Sequence, residues 1–234
     1  MLMNPQNLLQ PVARLRERVA AAAARAGRSV DSVTILTVSK GHPAATVRAA
    51  IAAGLTQFGE SYLQEALPKQ SELAGDPTPV WHFIGRLQSN KTRPVAEHFD
   101  WVHAVDRLKV AERLAEQRPY HAPPLNVCLQ VNLAGEASKG GVAPAEVPEL
   151  ARSVAALPRL KLRGLMCLPP EDDDPARQRV WFARLRELQE SLRDRGLPLD
   201  TLSMGMSDDF EAAILEGATI VRIGTALLGP RSQA

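Results

Sequence analysis

A lysine stands where a run of β-branched and apolar residues ends. Residues 33–38 read Val-Thr-Ile-Leu-Thr-Val, and Ser39 and Lys40 follow before Gly41 and Pro43 interrupt the pattern. The run predicts a buried strand, and Pro43 suits the first turn of a helix. Lys40 is therefore expected in a strand-to-helix turn, at the carboxyl end of the strand.

The choice of lysine at position 40 indicates nucleophilic chemistry. Only 6 of the 28 basic residues are lysines, so arginine is this chain's usual source of positive charge. A lysine amine can lose its proton and attack a carbonyl carbon, which a guanidinium cannot do. A strand-end lysine that simply reaches for solvent is the alternative.

Two glycine-containing loops near the end of the chain have the features of an anion site. The first, 203–209, reads Ser-Met-Gly-Met-Ser-Asp-Asp, and the second, 222–225, reads Arg-Ile-Gly-Thr. Glycine lets the backbone approach an anion closely, and a serine at a helix N-cap leaves N–H groups free to point at oxygens. The candidate phosphate-binding residues are Met206, Ser207, Gly224 and Thr225.

Two features of the first loop leave its role open. Ser207 is expected to cap a helix over 207–217, and capping alone would explain a serine there. Asp208 and Asp209 would repel a bound phosphate. An anion site therefore requires both carboxylates to point outward.

Arg222 is expected to face the interior of the fold. Period-two alternation in the last strand places Arg222 on the same face as Gly224, and it places Lys40 in an equivalent phase of the first strand. A guanidinium in a packed interior needs an acceptor, because an unpaired buried charge is costly. Either a structural carboxylate, for which Glu60 is a candidate, or a ligand could provide it.

Eight strand candidates alternate with helices along the chain. They cover 33–40, 56–59, 80–85, 100–105, 125–132, 161–167, 201–204 and 219–224, and an amphipathic helix over 5–26 precedes the first. This α/β pattern predicts a single (β/α)8 TIM barrel in one domain, 1–234, with an extra N-terminal helix. A doubly wound open sheet is the alternative, although no strand is followed by a dinucleotide or P-loop glycine motif. In a barrel, active sites lie at the carboxyl ends of the strands, and phosphate often binds after strands seven and eight, where both loops fall.

Composition excludes several classes of protein. No apolar run approaches ~18 residues and no export signal is evident, so neither a membrane nor export is expected. Cys128 and Cys167 match no metal-ligand spacing, so we expect inert core thiols, no metal site and a reducing cytoplasm. A net charge of +2, with arginines spread over several helices, does not favour nucleic acid as a partner.

An amine, two phosphate loops and an inward arginine together describe a pocket for an aldehyde that carries a phosphate and a third acceptor. Pyridoxal 5′-phosphate has all three groups, and its pyridine nitrogen would accept from Arg222. An arginine partner leaves that nitrogen unprotonated, which makes the cofactor a weaker electron sink. Carriage or proton shuttling would suit such a site.

Six segments of the chain resemble the pyridoxal phosphate homeostasis proteins. They are Val38-Ser39-Lys40, Phe58-Gly59-Glu60, the stretch 81–91 (Trp-His-Phe-Ile-Gly-x-Leu-Gln-Ser-Asn-Lys), Gly164-Leu165-Met166, 202–207 (Leu-Ser-Met-Gly-Met-Ser) and 221–224 (Val-Arg-Ile-Gly). The resemblance runs from about Leu8 to Arg231. It implies a single barrel like the N-terminal domain of alanine racemase, with pyridoxal phosphate as an internal aldimine on Lys40.

The same resemblance implies roles for particular residues. Ser207, Gly224 and Thr225 would hold the phosphate, and Arg222 would meet the ring nitrogen. One departure is Ser61, where the family usually has asparagine after Phe-Gly-Glu. A ring contact by that asparagine is therefore not expected here, and Ser61 is instead expected to cap the following helix through a Ser-x-x-Gln capping box.

Two histidines and two lysines complete the candidates. His82 is expected either beside the cofactor ring or in the core, and His103 lies in the next strand without the partners of a metallohydrolase site. Lys91 and Lys139 follow strands three and five, so they should lie on the same barrel face as Lys40. Lys91 and Lys139 are expected either to be solvated loop lysines or to bind an anionic B6 vitamer at a secondary site.

Three functions compete. The first is a monomeric, non-catalytic pyridoxal phosphate carrier in intracellular vitamin B6 and amino-acid homeostasis, with other B6 vitamers and cofactor-requiring apoenzymes as candidate partners. The second is an amino-acid racemase, whose second acid/base residue would come from an added β-domain that this chain is not expected to have. The third is a Schiff-base aldolase using the same lysine and loops. We expect the carrier, with no catalytic residue assigned.

Overall fold

A computed structural model describes residues 5–75, 79–136 and 139–230. Its eight parallel strands close into a barrel in chain order, with each strand hydrogen-bonded to the next and the eighth to the first. The strands are β1 (Thr34–Val38), β2 (Gln57–Glu60), β3 (Val80–Phe83), β4 (Trp101–Val105), β5 (Leu125–Val131), β6 (Leu160–Cys167), β7 (Thr201–Ser203) and β8 (Ile220–Ile223). The predicted (β/α)8 barrel and all eight strand positions are confirmed.

Helices follow the strands and cover the outside of the barrel. They are α1 (Pro5–Arg25), α2 (Ala44–Ala52), α3 (Leu63–Glu72), α4 (Thr92–His98), α5 (Leu108–Gln117), α6 (Val147–Ala155), α7 (Pro175–Asp194), α8 (Phe210–Leu215) and α9 (Thr225–Leu228). The predicted extra N-terminal helix is α1, which buries Leu8, Val12, Leu15 and Val19 at helical spacing against the core. The short helix α9 was not expected from the sequence.

Strand register decides which side chains face the barrel interior. Leu36 pairs with Arg222 and Met166 pairs with Ser203, and residues that pair across parallel strands point to the same face. Neighbouring positions such as Phe58 and Val221 point outward, into the main hydrophobic core between barrel and helices. The predicted alternation of β8, with Arg222 inward, is therefore confirmed.

Two predicted helix caps are wrong. The helix after β7 begins at Phe210, with Asp209 at its N-cap, so Ser207 lies in the preceding turn. The helix after β2 begins at Leu63, with Tyr62 at its N-cap and no capping side-chain bond, so Ser61 is not a cap. The backbone of Ser61 instead lies against Gly85, where a Cβ atom would come within 2.1 Å of the Ser61 carbonyl oxygen. Ser61 is therefore engaged in a tertiary contact and not in capping this helix.

Gly164 in β6 is required by close approach of the neighbouring strand. A Cβ atom there would lie 1.7 Å from the carbonyl oxygen of Thr201, the residue with which Gly164 pairs in β7. We expect Gly164→Ala to lower the free energy of unfolding by roughly 3 kcal/mol, because backbone must move to admit the methyl group. Urea unfolding of the purified variant measures this change.

Gly59→Ala is the matched control for that substitution. Gly59 also lies in a barrel strand, but a Cβ atom there would first meet the flexible end of the Ile84 side chain, at 3.2 Å. The loss should be about 1 kcal/mol or less. Equal losses for the two variants would contradict the role assigned to the Thr201 carbonyl.

Two classes of feature are missing from the part of the chain that the structure describes. No helix there is both long and apolar enough to cross a membrane. Within the same residues, no group of three or more His, Cys, Asp or Glu side chains is arranged to hold a metal ion.

Candidate functional site

The predicted binding residues follow three consecutive strands at the carboxyl end of the barrel. Lys40 lies two residues beyond β1, Thr225 begins α9 two residues beyond β8, and Met206 and Ser207 follow β7. Because β7, β8 and β1 are neighbours, these loops meet at one side of the barrel mouth. A Cβ atom on Gly224 would lie 3.5 Å from the Cβ of Val38, so the β8 loop closely approaches the strand that carries Lys40.

The backbone on the amino-terminal side of Lys40 is fixed by a buried ion pair. The hydroxyl of Ser39 donates to Glu60 Oε1 at 2.6 Å, and the ammonium of Lys69 donates to Glu60 Oε1 at 2.5 Å and to the Ser39 carbonyl at 2.8 Å. Lys69 is 5% exposed and Glu60 is fully buried. Residues from β2 and α3 therefore hold the turn from which Lys40 projects.

The other side of the same turn is also held by α3. The backbone N–H of Gly41 donates to Glu65 Oε2 at 2.8 Å. Lys40 thus lies between two anchored neighbours and is itself half-buried. This restraint orients the start of its side chain before any ligand arrives, which lowers the entropic cost of binding.

The Oε2 atom of Glu60 has no hydrogen-bond partner among the described residues. Burial raises the pKa of this carboxyl, although the nearby Lys69 ammonium and the Ser39 hydroxyl act in the opposite direction. The prediction that Glu60 could pair with Arg222 is wrong, because Glu60 is committed to Lys69 on the β2 side of the barrel.

Arg222 lies inside the barrel, and no carboxylate of the residues that the structure describes is bonded to it. Its Nη1 donates to the Ser203 carbonyl at 2.7 Å and to Ser203 Oγ at 2.9 Å, and its Nη2 donates to the Cys167 carbonyl at 2.8 Å. Ser203 and Cys167 are the last residues of β7 and β6. The guanidinium therefore lies at the level of the carboxyl ends of the strands.

Arg222 has N–H groups available for a ligand acceptor at the barrel mouth. A guanidinium has five N–H groups, and three of them serve Ser203 and Cys167. Within the described residues, the other two have no acceptor. Burial lowers the pKa of Arg222, and the charge of Asp209 partly offsets this effect. An unprotonated ring nitrogen is an acceptor that these N–H groups could serve.

The loop after β7 is held by Asp209 rather than by Ser207. The Oδ1 atom of Asp209 accepts the backbone N–H of Met206 at 2.5 Å, so this carboxylate points into its own loop. The outward orientation that an anion site requires of both carboxylates is met by the exposed Asp208 but not by Asp209. Burial raises the pKa of Asp209, whereas the hydrogen bond from the Met206 backbone and the charge of Arg222 act in the opposite direction.

Gly205 in this loop serves packing. Its φ is +92°, and a Cβ atom would lie 2.6 Å from the Cβ of Ala213 in α8. Glycine is therefore needed so that the loop can approach the helix. The carbonyl of Gly205 accepts the backbone N–H of Arg222 at 2.9 Å. The half-buried Ser207 and the exposed Thr225 remain at the barrel mouth.

A line of hydrogen bonds crosses the barrel interior below this mouth. Its links are Gln57 Oε1 to His82 Nε2 at 2.8 Å, His82 Nδ1 to His103 Nε2 at 2.9 Å, and His103 Nδ1 to Ser203 Oγ at 2.7 Å. We call the four residues Gln57, His82, His103 and Ser203 the barrel chain. His82 is 1% exposed and stacks on Trp101, with ring centroids 5.4 Å apart. His82 therefore reaches Arg222 through His103 and Ser203.

The two buried histidines make stability depend on pH. Burial lowers the pKa of His82 to about 3 and that of His103 well below its ordinary value of 6.5. In the unfolded chain both rings take up protons below about pH 6.5, whereas in the folded protein they stay neutral. The free energy of unfolding should fall with acidification by up to about 2.7 kcal/mol per pH unit from this pair.

Urea unfolding at pH 7, 6 and 5 measures that slope, with His82→Gln as the matched variant. A glutamine amide can accept from His103 and donate to Gln57, but it does not titrate. The slope should decrease by about 1.4 kcal/mol per pH unit in this variant. The raised pKa of Glu60 acts oppositely in both proteins, so the difference between the slopes is the decisive quantity. Equal slopes would refute the assignment.

The remaining candidates take structural or peripheral places. Lys139 donates to the Pro169 carbonyl at 2.8 Å and pairs with Glu136, so it links the loops after β5 and β6. Lys91 is exposed in a short 3-10 turn, Ser89–Lys91. Both cysteines, Cys128 and Cys167, are free and buried, and burial raises the pKa of each thiol to about 12.

Sequence reasoning missed the three side chains that do most to position this site: Lys69, Glu65 and Ser203. Lys69 carried one available signal, since it is another of the few lysines and lies four residues after Glu65 in a predicted helix. Ser203 lies inside the motif 202–207, but nothing in its spacing indicates a bond to Arg222.

Comparison with known proteins identifies relatives over almost the whole chain. The family model for the alanine racemase N-terminal domain matches residues 12–232. A protein of Pseudomonas aeruginosa named pyridoxal phosphate homeostasis protein is 63% identical over 226 residues, which is 97% of this chain and 95% of the relative. The protein of the same name from Escherichia coli K12 is 50% identical over 222 residues, or 94% of this chain and 95% of that one.

A solved structure supports the same relationship. PipY of Synechococcus elongatus, described with PLP bound, superposes with a TM-score of 0.81 and 41% identity. The match covers 92% of this chain and 99% of PipY.

Proposed function

This chain belongs to the alanine racemase N-terminal domain family and, within it, to the pyridoxal phosphate homeostasis proteins, and we propose that it holds pyridoxal 5′-phosphate on Lys40. The proposed role is intracellular vitamin B6 and amino-acid homeostasis without substantial catalysis. The observation that carries the proposal is the meeting of Lys40, both glycine-containing loops and Arg222 at one end of three neighbouring strands.

Each residue has a distinct part in the proposal. The amine of Lys40 is the nucleophile, held by the anchored turn on which it lies. Arg222 donates to the ring nitrogen through N–H groups that the barrel leaves unused. The residues proposed at the phosphate are Met206, Ser207, Gly224 and Thr225, from the loops after β7 and β8. His82, also a predicted binding residue, acts here through Arg222.

Pyridoxal phosphate supplies an aldehyde carbon, which an amine can attack with loss of one water molecule to give a carbon–nitrogen double bond. The protein's part is to hold that amine, the phosphate and the ring nitrogen at fixed separations. The two unused N–H groups of Arg222 suit an unprotonated nitrogen, because a guanidinium can only donate. This pairing makes the ring a weaker electron sink, which suits carriage or proton shuttling.

The test is an absorbance spectrum of the purified protein after incubation with pyridoxal phosphate. We expect a band distinct from that of the free aldehyde, and borohydride should fix the label on the peptide containing Lys40. A missing band, or a label on another lysine, would refute the assignment. Turnover of added alanine or serine that depends on Lys40 would instead identify an amino-acid racemase or related enzyme.

The wider setting is part of the proposal. Two buried free thiols suit the reducing cytoplasm. Other B6 vitamers and cofactor-requiring apoenzymes are the proposed partners. We take the protein to act as a monomer in one domain, 1–234, and sedimentation velocity with and without cofactor checks its size.

A further inference from the structure

The direction of every hydrogen bond in the barrel chain can be assigned from its two ends. At one end, the guanidinium of Arg222 can only donate, so Ser203 Oγ accepts from it. At the other end, the Gln57 amide faces Nε2 of His82 with Oε1, and this orientation agrees with a hydrogen on Nε2, because an amide oxygen accepts.

The interior links then have one consistent arrangement. A neutral imidazole with hydrogen on Nε2 has its acceptor on Nδ1, so His82 accepts from Nε2–H of His103. His103 in turn accepts from the Ser203 hydroxyl at its own Nδ1. Every donor in the chain therefore points away from Arg222, and both histidines are the Nε2–H tautomer. The low pKa values of both rings agree with this neutral form.

The reverse arrangement leaves a polar group without a partner. If His103 donated to Ser203 Oγ, that oxygen would accept from both His103 and Arg222, and the serine proton would need another acceptor in a fully buried position. Gln57 would also have to rotate its amide to present nitrogen. An unmet buried donor costs more than an ordinary hydrogen bond contributes, so the forward direction is favoured.

The common direction of the hydrogen bonds in the barrel chain also suits the buried cation of Arg222. In the Nε2–H tautomer, the negative end of the imidazole dipole lies at Nδ1, and in both rings Nδ1 faces toward Arg222. The barrel chain thus supplies aligned acceptor dipoles to a guanidinium that is bonded to no carboxylate among the described residues. The ring of Trp101 stacks on the ring of His82 at an interplanar angle of 10°, which restricts rotation of the imidazole.

We infer that the barrel chain positions Arg222, holding the guanidinium so that its two remaining N–H groups serve the ring nitrogen of a bound ligand. This inference rests on the proposed function and adds four positioning residues to it. The outermost of them, Gln57, begins β2 at the amino-terminal end of the barrel, opposite the binding loops, and lines an open crevice of about 710 Å³ there. A change at Gln57 should therefore affect cofactor binding from the far end of the barrel.

The first measurement is the tautomeric state of the histidines in the cofactor-free protein. Proton–nitrogen NMR correlations of the imidazole rings distinguish the Nε2–H tautomer, the Nδ1–H tautomer and the imidazolium ion. We expect the Nε2–H pattern for both His82 and His103. An Nδ1–H ring or an imidazolium ion at neutral pH at either position would overturn the inference.

The second measurement compares cofactor affinity in variants at the two ends of the chain. Ser203→Ala, which removes a bond to a charged donor, should weaken pyridoxal phosphate binding about 10-fold or more. Gln57→Leu removes the final acceptor and should weaken binding about 3- to 10-fold. Gln57→Glu keeps an acceptor oxygen and should restore most of that loss.

Two controls separate positioning from a general loss of structure. Thr34→Val changes a neighbouring strand residue that lines the same crevice and should leave affinity unaltered. The analogue of pyridoxal phosphate in which CH replaces the ring nitrogen should bind wild type and Gln57→Leu with similar affinity, because Arg222 then has no acceptor to serve. Equal effects of Gln57→Leu on both ligands, or no effect on either, would overturn the inference.

The outcomes for the two proposals are distinguishable. If wild-type protein gave no cofactor band, the proposed function would fail. If wild-type protein gave the band but Gln57→Leu and Ser203→Ala bound as tightly, only the positioning inference would fail. Should Ser203→Ala not fold, the Gln57 pair and the tautomers still decide the question.

Discussion

Replacement of Lys40 by alanine should abolish the protein-bound absorbance band and weaken pyridoxal phosphate binding by about 100-fold or more, equivalent to roughly 2.8 kcal/mol. Alanine keeps the backbone of the turn but removes the amine that we propose forms the covalent link. The anchors on either side of the turn use Ser39 and the backbone of Gly41, so they survive the substitution. Equilibrium titration followed by absorbance measures both effects.

A vitamer without the aldehyde shows whether the lost affinity is covalent. Pyridoxine 5′-phosphate retains the phosphate and the ring nitrogen but cannot react with an amine. It should bind wild type and Lys40→Ala within about 2-fold of each other, because the loops and Arg222 are unchanged. Equal weakening of both vitamers would instead mean that Lys40 acts as a cation for the phosphate.

A second lysine serves as the matched control. Lys91 lies exposed in the 3-10 turn after β3, on the same face of the barrel. Lys91→Ala should retain the band and the affinity of wild type. Loss of the band in Lys91→Ala, or its survival in Lys40→Ala, would contradict the choice of nucleophile.

The barrel was predictable because its signals are local and repeated. Each strand is a short apolar run closed by glycine, proline or polar residues, and eight such runs alternating with helices leave few topologies. The place of the binding loops then follows from the fold, since the ends of β7, β8 and β1 must be neighbours in a closed barrel. The positions of Lys40 and Thr225 at the barrel mouth were predicted in this way.

The interactions that position the site could not be predicted by the same means. The bond from Arg222 to Ser203 joins inward side chains of different strands, and a one-dimensional pattern gives their faces but not their separations. The first turn after β7 illustrates a different limit. Ser207 has the local chemistry of a cap, yet it lies in a turn between Gly205, which packs closely on Ala213, and the helix start at Phe210. The bond from the Met206 N–H to Asp209 spans this turn.

The buried pair of Lys69 and Glu60 should dominate the stability of the turn that carries Lys40. Lys69→Met should lower the free energy of unfolding by about 3–5 kcal/mol at pH 7, because it leaves a buried carboxylate without its cation. Loss of the bond from Lys69 to the Ser39 carbonyl adds to this effect. Urea unfolding with and without pyridoxal phosphate measures the change in each state.

The pH dependence of that loss identifies its cause. Without the ammonium, the pKa of Glu60 should rise further above its unfolded value, so the folded state binds a proton more readily than the unfolded state. The stability of Lys69→Met should therefore be regained as pH falls from 7 toward 5, relative to wild type at each pH. A loss that is constant over this range would indicate missing packing rather than an unpaired charge.

A double variant completes the test. Glu60→Gln in the Lys69→Met background removes the titrating carboxylate, so no unpaired charge remains buried. The double variant should therefore regain about 2 kcal/mol or more of unfolding free energy at pH 7 relative to Lys69→Met. Its stability should not show the extra pH dependence of Lys69→Met. If the double variant were as unstable as the single one, the ion pair would matter through its hydrogen bonds to Ser39. Because those bonds hold the turn, cofactor affinity should then fall in parallel with stability.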